Sequence, residues 1–181
     1  MEVALESITK WFPYNKGGGY RKWAGFQSLV VNWEKGGEEI KQNGMTSFRG
    51  KDFYFKPGLT WSDVSSGDFS CRYTSSGFIF DIKGTSAFPA KELLGLTSIV
   101  LNSKVGTYIL NILNPTMSYQ SGDIRRVPVI RKVFEKSDKL GNNFRSLVKI
   151  SFDDWNQFET SWGFGTFPLL KKVTNSSLTI E

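Results

Sequence analysis

Cations and aromatic rings alternate through residues 11–33, WFPYNKGGGYRKWAGFQSLVVNW, around a Gly17-Gly18-Gly19 turn. The chemistry such residues offer is polyanion binding. Lys16, Arg21 and Lys22 can neutralise phosphates, while Tyr20 and Trp23 can stack on bases or pack beneath the cations. A bland solvated loop fits the same residues, and the sequence leaves both readings open. No Lys-Ser/Thr pair follows the glycines as in a phosphate-cradling loop, so the triplet reads as a flexible turn. Asp153, Asp154 and Glu159 are close enough in sequence to suggest paired carboxylates. Without a metal partner or a pocket they read instead as charges at a helix start, favoured by the positive end of the helix dipole.

Absences narrow the chemistry further. The chain has no histidine, which removes Ser-His and Cys-His nucleophile systems and the usual zinc ligands. Its one cysteine, Cys71, can form no intrachain disulfide and no cysteine zinc cluster, and a reducing cytoplasm is the expected compartment. Asn114-Pro115-Thr116-Met117 approaches the (Asp/Asn)-Pro-Pro-(Tyr/Phe) loop with which amino-group DNA methyltransferases grip a flipped base. It lacks the second proline and the aromatic, and no glycine-rich loop for S-adenosylmethionine precedes it. A helix stop is the better reading. The net charge of +6 favours polyanionic partners. No apolar run approaches the ~20 residues that cross a bilayer, and the first residues lack the layout of a secretion signal, so no membrane partner is expected.

The elements that must position these groups read as α+β, a single domain of mixed or antiparallel strands with a central helical pair. Its 39% hydrophobic and 15% aromatic content is enough to fold. Strands are expected at 28–33, 52–55, 59–61, 69–73 and 77–82, the last two joined as a hairpin by Ser75-Ser76-Gly77. A short surface helix suits 34–43. Between Lys91 and Leu113 apolar residues recur at three and four, which is helical, with a division at Gly95 or at Asn102-Ser103 and an end at Asn114-Pro115. Residues 124–129 suit a strand or extended segment, and 130–149 are strongly basic. Ser151 with Asp153-Asp154 resembles a capped helix start. Trp11, Trp23, Trp33 and Trp61 read as core. Residues 171–181 read as a polar, frayed tail.

Taken together, longer strings resemble a specific family. KWFPYNKGGGYRKWAGFQSLVVNWEKGGEEIK, FYFKPGLTWSDVSSGDFSCRY, GFIFDIKGTSAFP, LLGLTSIVLNSKVGTYILNILNPTMSYQSGDIRRVPV and ISFDDWNQFETSWGFGTFPLL are similar to parts of the large adenine-specific DNA methyltransferases of BREX phage-defence systems and their Type IIG-like relatives. The resemblance covers nearly the whole chain. It departs where Gly163 and Phe167 stand at places that usually hold Asp and His. In that family these strings lie beyond the methyltransferase domain, in the region that reads the DNA sequence. That region is similar to the specificity domains of TaqI-type enzymes and of Type I specificity subunits, and Leu101-Asn102-Ser103-Lys104 and the run from Gly122 to Val129 match its scaffold.

The resemblance therefore implies that residues 1–170 form a DNA target-recognition-like domain, a piece of a larger protein. It implies no cofactor in this chain and no methyl transfer by it, with S-adenosylmethionine bound by a catalytic domain elsewhere. The implied partners are double-stranded DNA and the parent's methyltransferase domain. On the cationic reading, Lys16, Arg21, Lys22, Arg125, Arg126, Arg131 and Lys132 contact phosphates or guanine edges. Tyr14, Tyr20, Trp61, Tyr119 and Gln120 are the further residues for base contact or packing. The alternative is a protein-interaction module that docks onto the methyltransferase or another defence component through its aromatic C-terminal part.

Overall fold

β-branched and aromatic residues build two small sheets, each three strands wide. In the computed structural model, which describes residues 9–44 and 48–170, β1 (Trp11–Asn15) is the middle strand of the first sheet. It pairs antiparallel with β2 (Leu29–Asn32) and parallel with β5 (Ile79–Phe80). Pro13 is tolerated there because β5 reaches only Tyr14 and Asn15, so the strand has one neighbour at the proline. The second sheet has β3 (Gly58–Trp61) between β4 (Cys71–Thr74) and β6 (Ser86–Ala87), all antiparallel. Every residue of β3 is buried, as a strand covered on both faces must be.

Among the described residues five α-helices complete an α+β fold: α1 (Glu38–Gln42), α2 (Leu94–Asn102), α3 (Lys104–Leu113), α4 (Ser121–Ile124) and α5 (Ser137–Trp155). The helical pair expected in the middle is present, divided at Ser103 rather than at Gly95. The helical stretch from Lys91 to Asn102 is bent by 72° from α3. Ser103 adopts extended geometry and caps α3: its Oγ accepts from the Gly106 amide at 2.9 Å and donates to the Val100 carbonyl at 2.7 Å. No single helix among the described residues is long and apolar enough to cross a membrane.

Four expectations about the secondary-structure elements are corrected. Residues 52–55 form no strand; a 3-10 turn, Lys51–Phe53, starts from a left-handed Gly50 and turns Tyr54 into the interior. Residues 69–73 and 77–82 form no hairpin, because the Gly77 amide donates to Phe55 O and the Phe55 amide to Phe78 O. That pairing carries β5 away from β4 and onto β1. Ile124 ends the short α4 rather than opening a strand, and residues 127–130 after it form no regular element. Ser151, Asp153 and Asp154 lie at the end of α5, not at the start of a helix. The apolar spacing Leu140, Phe144, Leu147, Val148, Trp155 extends that helix backward through residues whose basic charge obscures it. The tail expected at 171–181 lies outside the described residues.

The side chains pack in two clusters. Leu59, Trp61, Phe69, Cys71, Leu94, Leu101, Leu110, Tyr119, Ile124 and Phe144 join the second sheet to α2, α3 and α5. Phe12, Trp33, Tyr54 and Ile79 fill the first sheet, with Trp33 edge-on to Phe48 and Tyr54. Trp33 and Trp61 are core as expected and Trp23 packs against the larger cluster, but Trp11 is exposed beneath Lys10.

Candidate functional site

The cationic loop of residues 16–28 is held from three sides. Gly17 and Gly18 have φ of +92° and +148°, values that only glycine adopts freely, and a Cβ at Gly17 would meet the Lys83 carbonyl. The Ser62 hydroxyl donates to Gly18 O, and Arg72 Nη1 donates to Gly19 O at 3.3 Å. Arg72 comes from the middle of β4, is 2% exposed and lies over the Phe26 ring, and none of the ion pairs among the described residues involves it. Burial lowers its pKa to about 10, still far enough above neutrality to keep a full charge beneath the loop. Trp23 and Phe26 have left-handed φ of 74° and 59°. Trp23 bridges to Arg72 by accepting from the Tyr73 amide and donating to Cys71 O.

Two of the expected phosphate contacts turn inward to hold this loop. Arg21 donates Nε to Ala24 O at 2.8 Å and Nη2 to Ser151 O at 2.9 Å, pairs with Asp154 at 2.6 Å, and lies over the Trp155 ring. Lys22 Nζ donates to Asn102 O at 2.7 Å at the end of α2. The Ser151 hydroxyl donates back to Ala24 O at 2.8 Å. The end of α5 is thus a clasp on the loop, and the carboxylates read from sequence as helix-start charges take part in it: Asp154 on Arg21, and Asp153 on Lys149 one turn back. Lys16 and Tyr20 remain exposed.

Trp61 and Tyr119, expected for base contact or packing, take the packing role. Trp61 is 1% exposed and donates Nε1 to Tyr119 O at 2.7 Å, while Tyr119 is 4% exposed and packs edge-on to Phe69. Buried rings have no free face for a base, so both belong to the framework. Burial and the nearby Asp68 raise the Tyr119 pKa. Tyr14 is half-buried, and burial followed by its hydrogen bond to Asp81 raises its pKa.

The framework does deliver Gln120 to the surface. The Tyr119 amide donates to Asp63 O at 2.7 Å and Ser118 Oγ donates to Asp63 Oδ1 at 3.0 Å, fixing this segment against the residues just after β3. Ser62, on the other side, holds Gly18. Gln120 then lines a shallow groove of about 430 Å³ with Arg49, Asp63, Asp81, Ile82 and Ser121. Arg125 and Arg126 follow α4 on the surface, and Arg131 and Lys132 stand exposed before α5. The three ion pairs among the described residues involve none of Lys16, Arg49, Arg125, Arg126, Arg131 and Lys132. Sequence reasoning missed Arg49 and Ile82, which are isolated in the chain and meet Gln120 only through folding. A wider groove of about 1070 Å³, between the start of α2, α5 and the loops carrying Phe53 and Phe88, holds none of the sequence candidates.

Asn114 is consumed by the turn it makes. Its Nδ2 donates to Ser118 O at 2.5 Å and Asp123 Oδ2 at 2.6 Å, and its Oδ1 accepts from the Thr116 amide and hydroxyl. Helix α3 ends at Leu113, in keeping with the helix-stop reading. Among the described residues no group of three or more His, Cys, Asp or Glu side chains is placed to hold a metal.

No protein-family model matches the chain. It is 39% identical, in an alignment of 184 positions that covers 96% of its length, to adenine-specific methyltransferase BrxX of Escherichia coli O9:H4 (strain HS). It is 38% identical over 178 residues, 93% of its length, to adenine-specific methyltransferase PglX of Lacticaseibacillus casei (strain Zhang). The chain spans only 15% and 14% of these two curated relatives. The resemblance read from its motifs is borne out: the chain is homologous to one segment of such methyltransferases.

Proposed function

We propose that this chain is the DNA-reading segment of an adenine-specific DNA methyltransferase of a phage-defence system, with methyl transfer from S-adenosylmethionine carried out by another part of the parent protein. The observation that carries the reading is its 38–39% identity, over nearly all its residues, to a small part of two adenine-specific methyltransferases. Arg125, Arg126, Arg131 and Lys132, exposed and in none of the ion pairs among the described residues, would neutralise phosphates and set the register of the duplex. Gln120, beside Arg49 in the shallow groove, has the amide suited to adenine edges in the major groove. Lys16 and Tyr20 would approach the backbone from the glycine loop, whose shape Arg21, Lys22 and Arg72 maintain. Trp61 and Tyr119 would support Gln120 from below.

Fluorescence anisotropy of the 181-residue chain with duplex DNA, titrated with salt, tests this. Affinity should fall linearly in log–log form, and Arg125→Ala with Arg126→Ala should make the slope shallower by about 2, near 0.9 per lost phosphate contact. Affinity that stays constant as salt rises would sink the proposal.

A further inference from the structure

Helix α3 presents two faces of opposite character. Gly106, Thr107 and Leu110 are buried against the larger core. Val105, Tyr108 and Ile112 point the other way, with exposures of 67%, 68% and 64%, and Ile109 is half-buried beside them. Spacings of three, four and seven place these four on one stripe. Lys104 is the helix's one charged residue and stands at its first position. Helix α5 shows what a solvated helix of this protein looks like: its exposed positions include Asp138, Lys139, Asn142, Asn143, Arg145 and Lys149, and Ile150 is a single exposed large apolar residue among them rather than part of a stripe. A stripe of Val, Tyr and Ile in the same protein marks a covered surface.

We infer that the outward face of α3 is the seat on which this segment docks against an apolar, uncharged surface in the remainder of the parent methyltransferase; this rests on the reading of the chain as a methyltransferase segment. The chain matches only 15% and 14% of its relatives, so in them the segment is joined to a body far larger than itself. A second copy is a poor occupant. A helix of 10 residues is about 15 Å long, and four side chains on it fall well short of the roughly 800 Å² per partner of a stable free-standing interface. A small apolar stripe is sufficient when the partner is tethered, because the linkage supplies a high effective concentration. Tyr108, an aromatic with a polar tip at the middle of the stripe, has the character of an interface anchor.

Thiol labelling read by peptide mass spectrometry tests the inference, comparing the 181-residue chain with the intact parent methyltransferase. Each carries Cys71→Ser with either Tyr108→Cys or Asn143→Cys. In the parent, the Tyr108→Cys thiol should label about ten-fold or more slowly than in the chain alone, the protection given by a modest opening free energy, while the Asn143→Cys thiol on α5 labels equally in both. Equal labelling at position 108 in the two proteins overturns the inference. Protection in the isolated chain that grows with its concentration also overturns it, by assigning the face to a second copy. Tyr108→Glu with Ile112→Glu supplies an independent readout: the chain alone should keep its melting temperature and its DNA affinity, and the intact parent should melt lower. DNA binding absent from the unsubstituted chain, with position 108 still protected in the parent, would sink the DNA-reading proposal and leave the docking face standing.

Discussion

Arg21 and Lys22 carry the charge that a phosphate attracts, yet both end on groups of their own chain. Arg21 has 17% of its side chain exposed and Asp154 58%, so the ion pair is half in water and heavily screened, whereas the bonds from Arg21 to Ala24 O and Ser151 O are shielded. Arg21→Ala should therefore destabilise the chain by about 1.5–3 kcal/mol, the range for hydrogen bonds from a charged donor. Asp154→Asn should cost less than about 1 kcal/mol. Urea denaturation checks both, and equal costs would mean that the carboxylate rather than the carbonyls holds the loop. Residue type told us that these were cations. It did not tell us their partners, because Ser151 and Asp154 are some 130 positions away in the chain.

At the scale of elements, the three- and four-residue period of the central stretch was enough to predict two helices, and Asn114-Pro115 to predict their end. The turn between them depends on two residues. Ser103→Ala removes the cap on α3 and should cost about 1 kcal/mol. Gly106→Ala, which in a free helix would be favourable by about 1 kcal/mol, should instead be destabilising, because a Cβ would collide with the Val100 carbonyl oxygen where α3 leaves α2. Thermal melts of the two variants check this, and a stabilised Gly106→Ala would show that the crossing has room for a Cβ. Helix α5 was harder to read, since its apolar positions are interleaved with the densest basic charge in the chain. Its end, marked by Ser and Asp, looks locally like a beginning. Those side chains serve the loop around Arg21, and only that distant loop explains them.

The whole molecule shows its buried ionisable groups in its response to pH. Burial raises the Cys71 thiol from 9.0 to about 12, outweighing the opposing effects of Ser98, Arg72 and Asn102, and burial also raises Tyr14, Tyr54 and Tyr119. A raised folded pKa favours the protonated form on folding. The stability these groups give is complete below the unfolded value and is lost as pH climbs toward the folded one. Arg72 acts in the other direction: its folded pKa is lowered to about 10, so shedding its buried charge relieves a cost above that pH. Melting temperature should thus hold level to about pH 9 and then fall, with the thiol contributing the earliest part. Cys71→Ala should delay the onset, and an unchanged onset would show that the thiol is not the group responsible.

Composition and local pattern by themselves determined the α+β class, the helical pair, the exclusion of histidine- and disulfide-based chemistry, and a resemblance that the homologous methyltransferases bear out. These are properties of short windows and of summed charge, which do not depend on how distant parts meet. Tertiary structure alone decided which cations face water, that Tyr119 is framework and Trp11 is not, that Arg49 and Ile82 share a groove with Gln120, and that one stripe of α3 faces outward. The physical reason is that burial and pairing are relations between residues far apart in the chain. Lys16 and Lys22 are equivalent as letters, but Lys22 lies within reach of the Asn102 carbonyl and Lys16 does not.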